Sequence, residues 1–104
     1  MNKQPIPKKV KIFQQTYIVK TDNYLCGCRG ALGTTGVNAQ EIFLADNYDD
    51  ATLPPDRIFK TFCHELTHAM LWEVGEHKLY EDEKFCENFG NALCTFLTQN
   101  CKWK

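Results

Sequence analysis

No stretch of this sequence is apolar for long enough to cross a bilayer, which takes about 20 consecutive apolar residues. The opening "MNKQPIPKKVKIF" carries charges but no apolar run suited to a secretory signal. These two absences predict a cytoplasmic protein with no membrane partner. A surplus of one charge sign is missing too, with 12 Lys and Arg against 13 Asp and Glu. Nucleic acid binding by bulk electrostatics is therefore not expected. The basic "KKVK" (8–11) is too short to change that and reads as a solvated strand end. There is no pair of C-x-x-C knuckles, so a zinc ribbon is not expected, and no internal repeat or low-complexity tract.

What is there suits one small α+β domain over residues 1–104. Seven Phe, four Tyr and two Trp are enough to close a modest core, which argues against disorder. Trp72 and Trp103 read as packing residues. Six cysteines invite a disulfide framework, but without a secretory signal reduced thiols are the expectation. Most read as small buried side chains. Cys26-Gly27-Cys28 is the one place where a redox or metal role fits.

The first half is strand-rich. "VKIFQQTYIV" (10–19) is rich in β-branched and aromatic residues and predicts one strand, bent near Gln14-Gln15. "CGCRGALGTTG" (26–36) is either a loop or a glycine-loosened strand with a turn at Thr35-Gly36. "AQEIFLA" (39–45) predicts a compact strand ended by "DNYDD". These segments predict a small, about three-stranded, mainly antiparallel sheet, because the connections look too short for crossover helices. In the second half the apolar period changes. Ile58, Phe59, Phe62, Cys63, Leu66, Ala69, Met70 and Val74 fall at helical spacing within 53–75. Pro54 and Pro55 suit the start of that helix and Gly75 its stop. After a polar connection (76–82), Phe85, Phe89, Leu93, Phe96 and Leu97 predict a second helix over 83–103, paired with the first as a hairpin on the sheet.

The first helix contains "HELTH" (64–68). Positions i and i+4 share a helix face, so His64 and His68 can offer two nitrogens to one metal ion. Glu65 is rotated away from that pair and can reach a metal-bound water instead. This is the logic of H-E-x-x-H: zinc with three protein ligands polarises the water and the glutamate takes its proton. Two histidines leave the site one ligand short. His77, Glu81, Asp82, Glu83 and Glu87 lie downstream as candidates. A tight helical hairpin favours the level of Glu87, whereas a longer descending loop favours Glu83.

"HELTH" followed by "DEKFCENFG" resembles the gluzincin zinc proteases, the group that includes thermolysin. Within it, "DEKFCENFGNAL" is most similar to minimal zinc peptidases of the ImmA/IrrE type, common in phages and mobile elements. Glu83 and Phe89-Gly90 fit that pattern, with Phe85 where a second Glu usually stands. The resemblance covers roughly residues 60–97. It implies a small sheet before the histidine helix, one zinc ion per chain held by His64, His68 and Glu83, and Glu65 as general base. It also implies that Glu87 orients a histidine, or serves as the alternative ligand. The implied partner is a protein or peptide substrate, such as a regulator. Oxyanion stabilisation falls to His77, Tyr80, Tyr48 or Arg57, with no spacing rule to choose among them. The edge of the sheet, at "GTTG" or "AQEIFLA", offers a place for a peptide to add as a strand. The competing reading is a zinc-stabilised interaction module, an antirepressor or host-defence inhibitor, whose site is closed by His77 or Cys63 as fourth ligand.

Overall fold

The computed structural model describes residues 6–101, so Trp103 and the last lysines of "CKWK" lie outside the described residues. The chain is α+β, with a sheet followed by packed helices. Strands β1 (Lys9–Ile12) and β2 (Gln15–Thr21) pair antiparallel, with Ile12 opposite Gln15. The single bent strand expected over 10–19 is therefore a hairpin. Phe13 makes the reversal at φ 55° and points into solvent, 66% exposed. The unbroken run of strand-forming residues conceals that turn, because Phe carries no turn signal.

Helix α1 (Asn23–Arg29) occupies much of the glycine-rich stretch. The Asp22 carboxylate caps it by accepting from the Leu25 N–H at 2.9 Å, and Gly30 ends it in the left-handed region at φ 66°. Strand β3 (Gly33–Gly36) follows, so the turn expected at Thr35-Gly36 lies later, before β4 (Glu41–Leu44). The sheet order is β1-β2-β4-β3. The β3–β4 pairing is antiparallel, but β2 and β4 run parallel. That parallel pairing corrects the argument from short connections: α1 and β3 together supply the crossover. The "DNYDD" terminator forms a small hairpin of β5 (Asn47–Tyr48) and β6 (Ala51–Thr52), with Asp49 and Asp50 both at positive φ as such turns demand.

Helix α2 (Pro55–Glu73) opens on a proline and is followed by Gly75 at φ 86°. The polar connection contains one helical turn, α3 (His77–Tyr80). Helix α4 (Glu83–Asn100) is capped by the Asp82 carboxylate, which accepts from the Phe85 N–H at 3.0 Å. The core lies between sheet and helices: Tyr17, Ile42 and Leu44 meet Phe59, Phe62, Cys63 and Ala69. The Tyr17 hydroxyl escapes burial unpaired by donating to Glu73 Oε2 at 2.7 Å.

Two glycines set how closely the elements meet. A Cβ on Gly90 would stand 2.9 Å from His64 Cα, so α4 lies directly on the α2 backbone. A Cβ on Gly33 would stand 2.7 Å from Thr61 Cγ2 and 3.0 Å from Glu65 Cγ, so β3 is held against α2 at the same level. The site is the place where these two close contacts converge.

Candidate metal centre

Helix α2 presents His64 and His68 on one face, as the four-residue spacing dictates. Their Nε2 atoms stand 3.2 Å apart. Glu83, in the first turn of α4, brings Oε1 to 3.1 Å from His64 Nε2 and both its oxygens to 3.4 Å from His68 Nε2. One ligand atom from each of these residues lies within 4.8 Å of the others, so the group can hold a metal ion. Donors bound tetrahedrally at about 2.0–2.1 Å from one ion would lie about 3.3 Å apart. The observed spacings match that arrangement.

The outer nitrogens decide which way the inner ones face. His68 Nδ1 lies 2.7 Å from the Tyr80 carbonyl oxygen, a partner that can only accept, so Nδ1 carries the proton and donates. His64 Nδ1 likewise donates to Glu87 Oε1 at 3.0 Å. In the neutral imidazole each Nε2 is then the acceptor nitrogen. In that form two imidazole lone pairs and a carboxylate oxygen converge on one point. Three such acceptors at this distance are suited to a shared cation, so the donor set fits a metal. Backbone carbonyl and carboxylate are the usual outer partners of ligating histidines.

Glu65 lies beside the cluster and is only 7% exposed. The Thr35 hydroxyl, on β3, donates to Glu65 Oε1 at 2.7 Å and lies 3.1 Å from the Glu65 carbonyl oxygen. Burial raises the Glu65 pKa above the usual carboxylate value. The Thr35 hydrogen bond and the two histidines pull the other way without cancelling it. The result is a dry carboxylate with one oxygen fixed and one available.

A cleft of about 980 Å³ opens over these residues. It is lined by the end of α1, by β3, by one face of α2, and by Tyr80, Glu81, Glu83 and Glu87. Tyr80 lines the cleft and sets its ring edge-on to His68, with centroids 5.5 Å apart. Its phenol pKa is raised, by burial first and then by nearby carboxylates including Glu65 and Glu83, so it stays a proton donor at neutral pH. Arg57 also lines the cleft. His77 stacks on Trp72 at 4.1 Å, and neither His77 nor Tyr48 is among the lining residues.

Cys63 is fully buried in the core cluster, with Cys94 packed against it, and is absent from the ligand group. Cys86 Sγ approaches His68 from the outer side, 3.5 Å from Nδ1. Cys26 and Cys28 sit on α1 as free thiols, so no cysteine joins the cluster. Asp82 serves as the cap of α4 and Glu81 as cleft wall.

The sequence shows Thr35 and Gly33 only as part of a glycine-rich stretch and Gly90 only as part of the family pattern, and does not disclose what each does here: anchor Glu65 and let β3 and α4 approach α2. Their signal would have been small residues placed where β3 and α4 must approach α2, which becomes meaningful only once those elements are paired. No family model, no curated protein and no solved structure matches this chain.

Proposed function

We propose that this protein is a zinc-dependent peptidase acting on a specific protein substrate. The observation that carries the reading is the buried, Thr35-anchored Glu65 next to three convergent acceptors in an open cleft. A site that only braced the fold would close with a fourth Cys or His and would have no use for such a carboxylate. Two imidazoles and one carboxylate suit zinc better than the all-oxygen ions, calcium and magnesium. The motifs that resemble the minimal zinc peptidases of the ImmA/IrrE type support the same reading.

His64, His68 and Glu83 would hold the ion. When bound, zinc supplies Lewis acidity to a water and to the scissile carbonyl. Glu65 takes the proton of the attacking water on the oxygen that Thr35 leaves free, then delivers it to the departing amine. Glu87 and the Tyr80 carbonyl keep both imidazoles in the Nδ1–H form throughout. Of the candidates for the oxyanion, Tyr80 and Arg57 line the cleft, and the Tyr80 phenol beside His68 would donate toward it. Strand β3 pairs with β4 alone among the described strands, so its outer edge can receive an extended peptide along the cleft.

The test is elemental analysis of protein purified without a histidine tag, joined to cleavage of a peptide library. The expected result is about one zinc per chain, lost in His64→Ala and in His68→Ala. Glu65→Gln should keep the zinc and cleave nothing. A zinc content near zero after loading, or cleavage that survives Glu65→Gln, overturns the reading.

A further inference from the structure

Three cations line the cleft: Arg29 at the end of α1, and Arg57 and Lys60 on the first half of α2. None of the three forms an ion pair among the described residues, where the ion pairs are Lys20–Glu41 and the histidine–glutamate contacts of the cluster. The carboxylates of the cleft gather elsewhere. Glu83 and Glu87 are engaged with His64 and His68, Glu65 is held by Thr35, and Glu81 belongs to the α3–α4 wall. Cys86 lies beside His68, whereas Gly90 lies beside Cys63 and His64, so α4 runs antiparallel to α2. Beyond Glu87, residues 88–101 of α4 and its cap contain no Asp or Glu. Asp56, next to Arg57 in the chain, does not line the cleft. Strand β3 lies on α2 with Gly33 against Thr61 and Thr35 against Glu65, so the chain leading into β3 from Arg29 enters at the Arg57–Lys60 end of α2. That end carries the three cations, while the carboxylates engaged with the histidines lie toward the start of α4.

The geometry points to a substrate-binding subsite for acidic side chains, formed by Arg29, Arg57 and Lys60 at one end of the cleft. This inference rests on the peptidase reading and specifies its substrate class: a protein segment with Asp or Glu close to one side of the scissile bond. Lys60 and Arg57 precede His64 by four and seven residues, about 6 and 10 Å along the helix axis at the helical rise. An extended peptide advances about 3.3 Å per residue. The acidic side chains thus fall about two to three residues from the bond over the metal ligands. Unpaired cations lining a concave cleft raise the local concentration of an anionic partner. A peptide is the occupant favoured over nucleic acid, because the same cleft carries the β3 edge and the acidic end would repel a continuous phosphate backbone.

The test uses the full chain with zinc loaded and Glu65→Gln in place, so that nothing is cleaved. Three fluorescein-labelled ten-residue peptides of one sequence serve as probes, with four Glu, four Gln or four Lys at the same positions. The Glu peptide is expected to bind at least tenfold tighter than the Gln peptide at low salt, with the gap narrowing as salt rises. Arg57→Glu with Lys60→Glu should abolish the preference while zinc content stays at one per chain. Arg29→Ser, on a different element, should reduce it severalfold and guards against misfolding of the double variant. Equal affinity for the Glu and Gln peptides, or no binding of any peptide, overturns the inference, as does a preference that survives charge reversal. Tighter binding of a single-stranded oligonucleotide than of the Glu peptide also overturns it. Zinc bound without an acidic preference sinks this inference alone. An acidic preference without zinc sinks the metal centre alone.

Discussion

Glu65 owes its chemistry to two opposed influences on one side chain. Burial disfavours its charge, and the Thr35 hydroxyl stabilises that charge and fixes one oxygen. A hydrogen bond to a charged group is worth about 1.5–3 kcal/mol, which converts to roughly 10–100-fold in rate if the bond serves the transition state. Thr35→Val should therefore slow peptide cleavage by about that factor and leave zinc content unchanged. Turnover on the best library peptide, read beside elemental analysis, checks both halves. The two acids of α4 divide differently. Glu83 faces both Nε2 atoms, so Glu83→Ala should strip zinc from the protein under mild chelator competition. Glu87 touches only His64 Nδ1, so Glu87→Ala should weaken zinc about 10–100-fold without removing it at saturation. Retention of zinc by Glu83→Ala together with its loss in Glu87→Ala would exchange the two roles.

At the scale of elements, the helix pair is held at a distance that only glycine permits. Gly90→Ala gains about 1 kcal/mol of helix propensity. It also forces a methyl against the His64 backbone at 2.9 Å, and such overpacking costs typically about 1–3 kcal/mol. The backbone cannot turn aside as a flexible side chain would, so the steric loss wins. Helix α4 must back away, carrying Glu83 from the two histidines. The expected result is a modestly lowered melting temperature and zinc affinity reduced at least tenfold, read by competition with a chromophoric chelator. Unchanged affinity in a well-folded Gly90→Ala protein would separate the helix contact from the site. Gly27 supplies the contrast: it sits inside α1 with nothing within 4 Å of an added Cβ. Gly27→Ala should therefore stabilise the protein by roughly 0.5–1 kcal/mol.

For the molecule as a whole, protons are linked to folding, and a metal held as proposed would be linked to it too. An ion that binds the folded cluster and not the unfolded chain raises the melting temperature by mass action, so chelation should lower it and added zinc restore it. The alkaline side has its own limit. Burial lifts the Tyr17 phenol well above its usual value of about 10. It does the same for the Cys63 thiol, and raises that of Cys86 to about 11. A folded pKa raised above the unfolded one means the unfolded chain gives up its proton first. The stability these groups contribute is present below pH about 9 and is lost as pH rises through the unfolded thiol and phenol values toward the folded ones. Thermal melts under reducing conditions should fall steeply between pH 9 and about 11. Tyr17→Phe should flatten that fall, since Phe has no proton to lose. An equally steep fall in Tyr17→Phe would remove the phenol from the account. None of the described helices is long and apolar enough to cross a membrane.

Local geometry alone determined what the sequence could disclose about this protein. Helix α2 follows from an apolar period of 3.6 with Pro55 at its start and Gly75 past its end, and that period alone puts His64 and His68 on one face. The placing of Glu65 off that face follows equally, because neighbouring helical residues diverge by about 100°. Contacts between segments far apart in the chain have no such local signature. Which of Glu83 and Glu87 faces the two Nε2 atoms depended on the path of residues 74–82; with the turn of α3 there, Glu83 stands level with both while Glu87 meets His64 Nδ1. Helix α1 was masked because Gly27 and the cysteines weaken its periodic signal, and with it the crossover that makes β2 and β4 parallel. Thr35 reaches Glu65 across a separation of 30 residues. Only the folded sheet, with Gly33 letting β3 lie against α2, decides that a polar residue in a glycine-rich stretch becomes the anchor of a buried carboxylate.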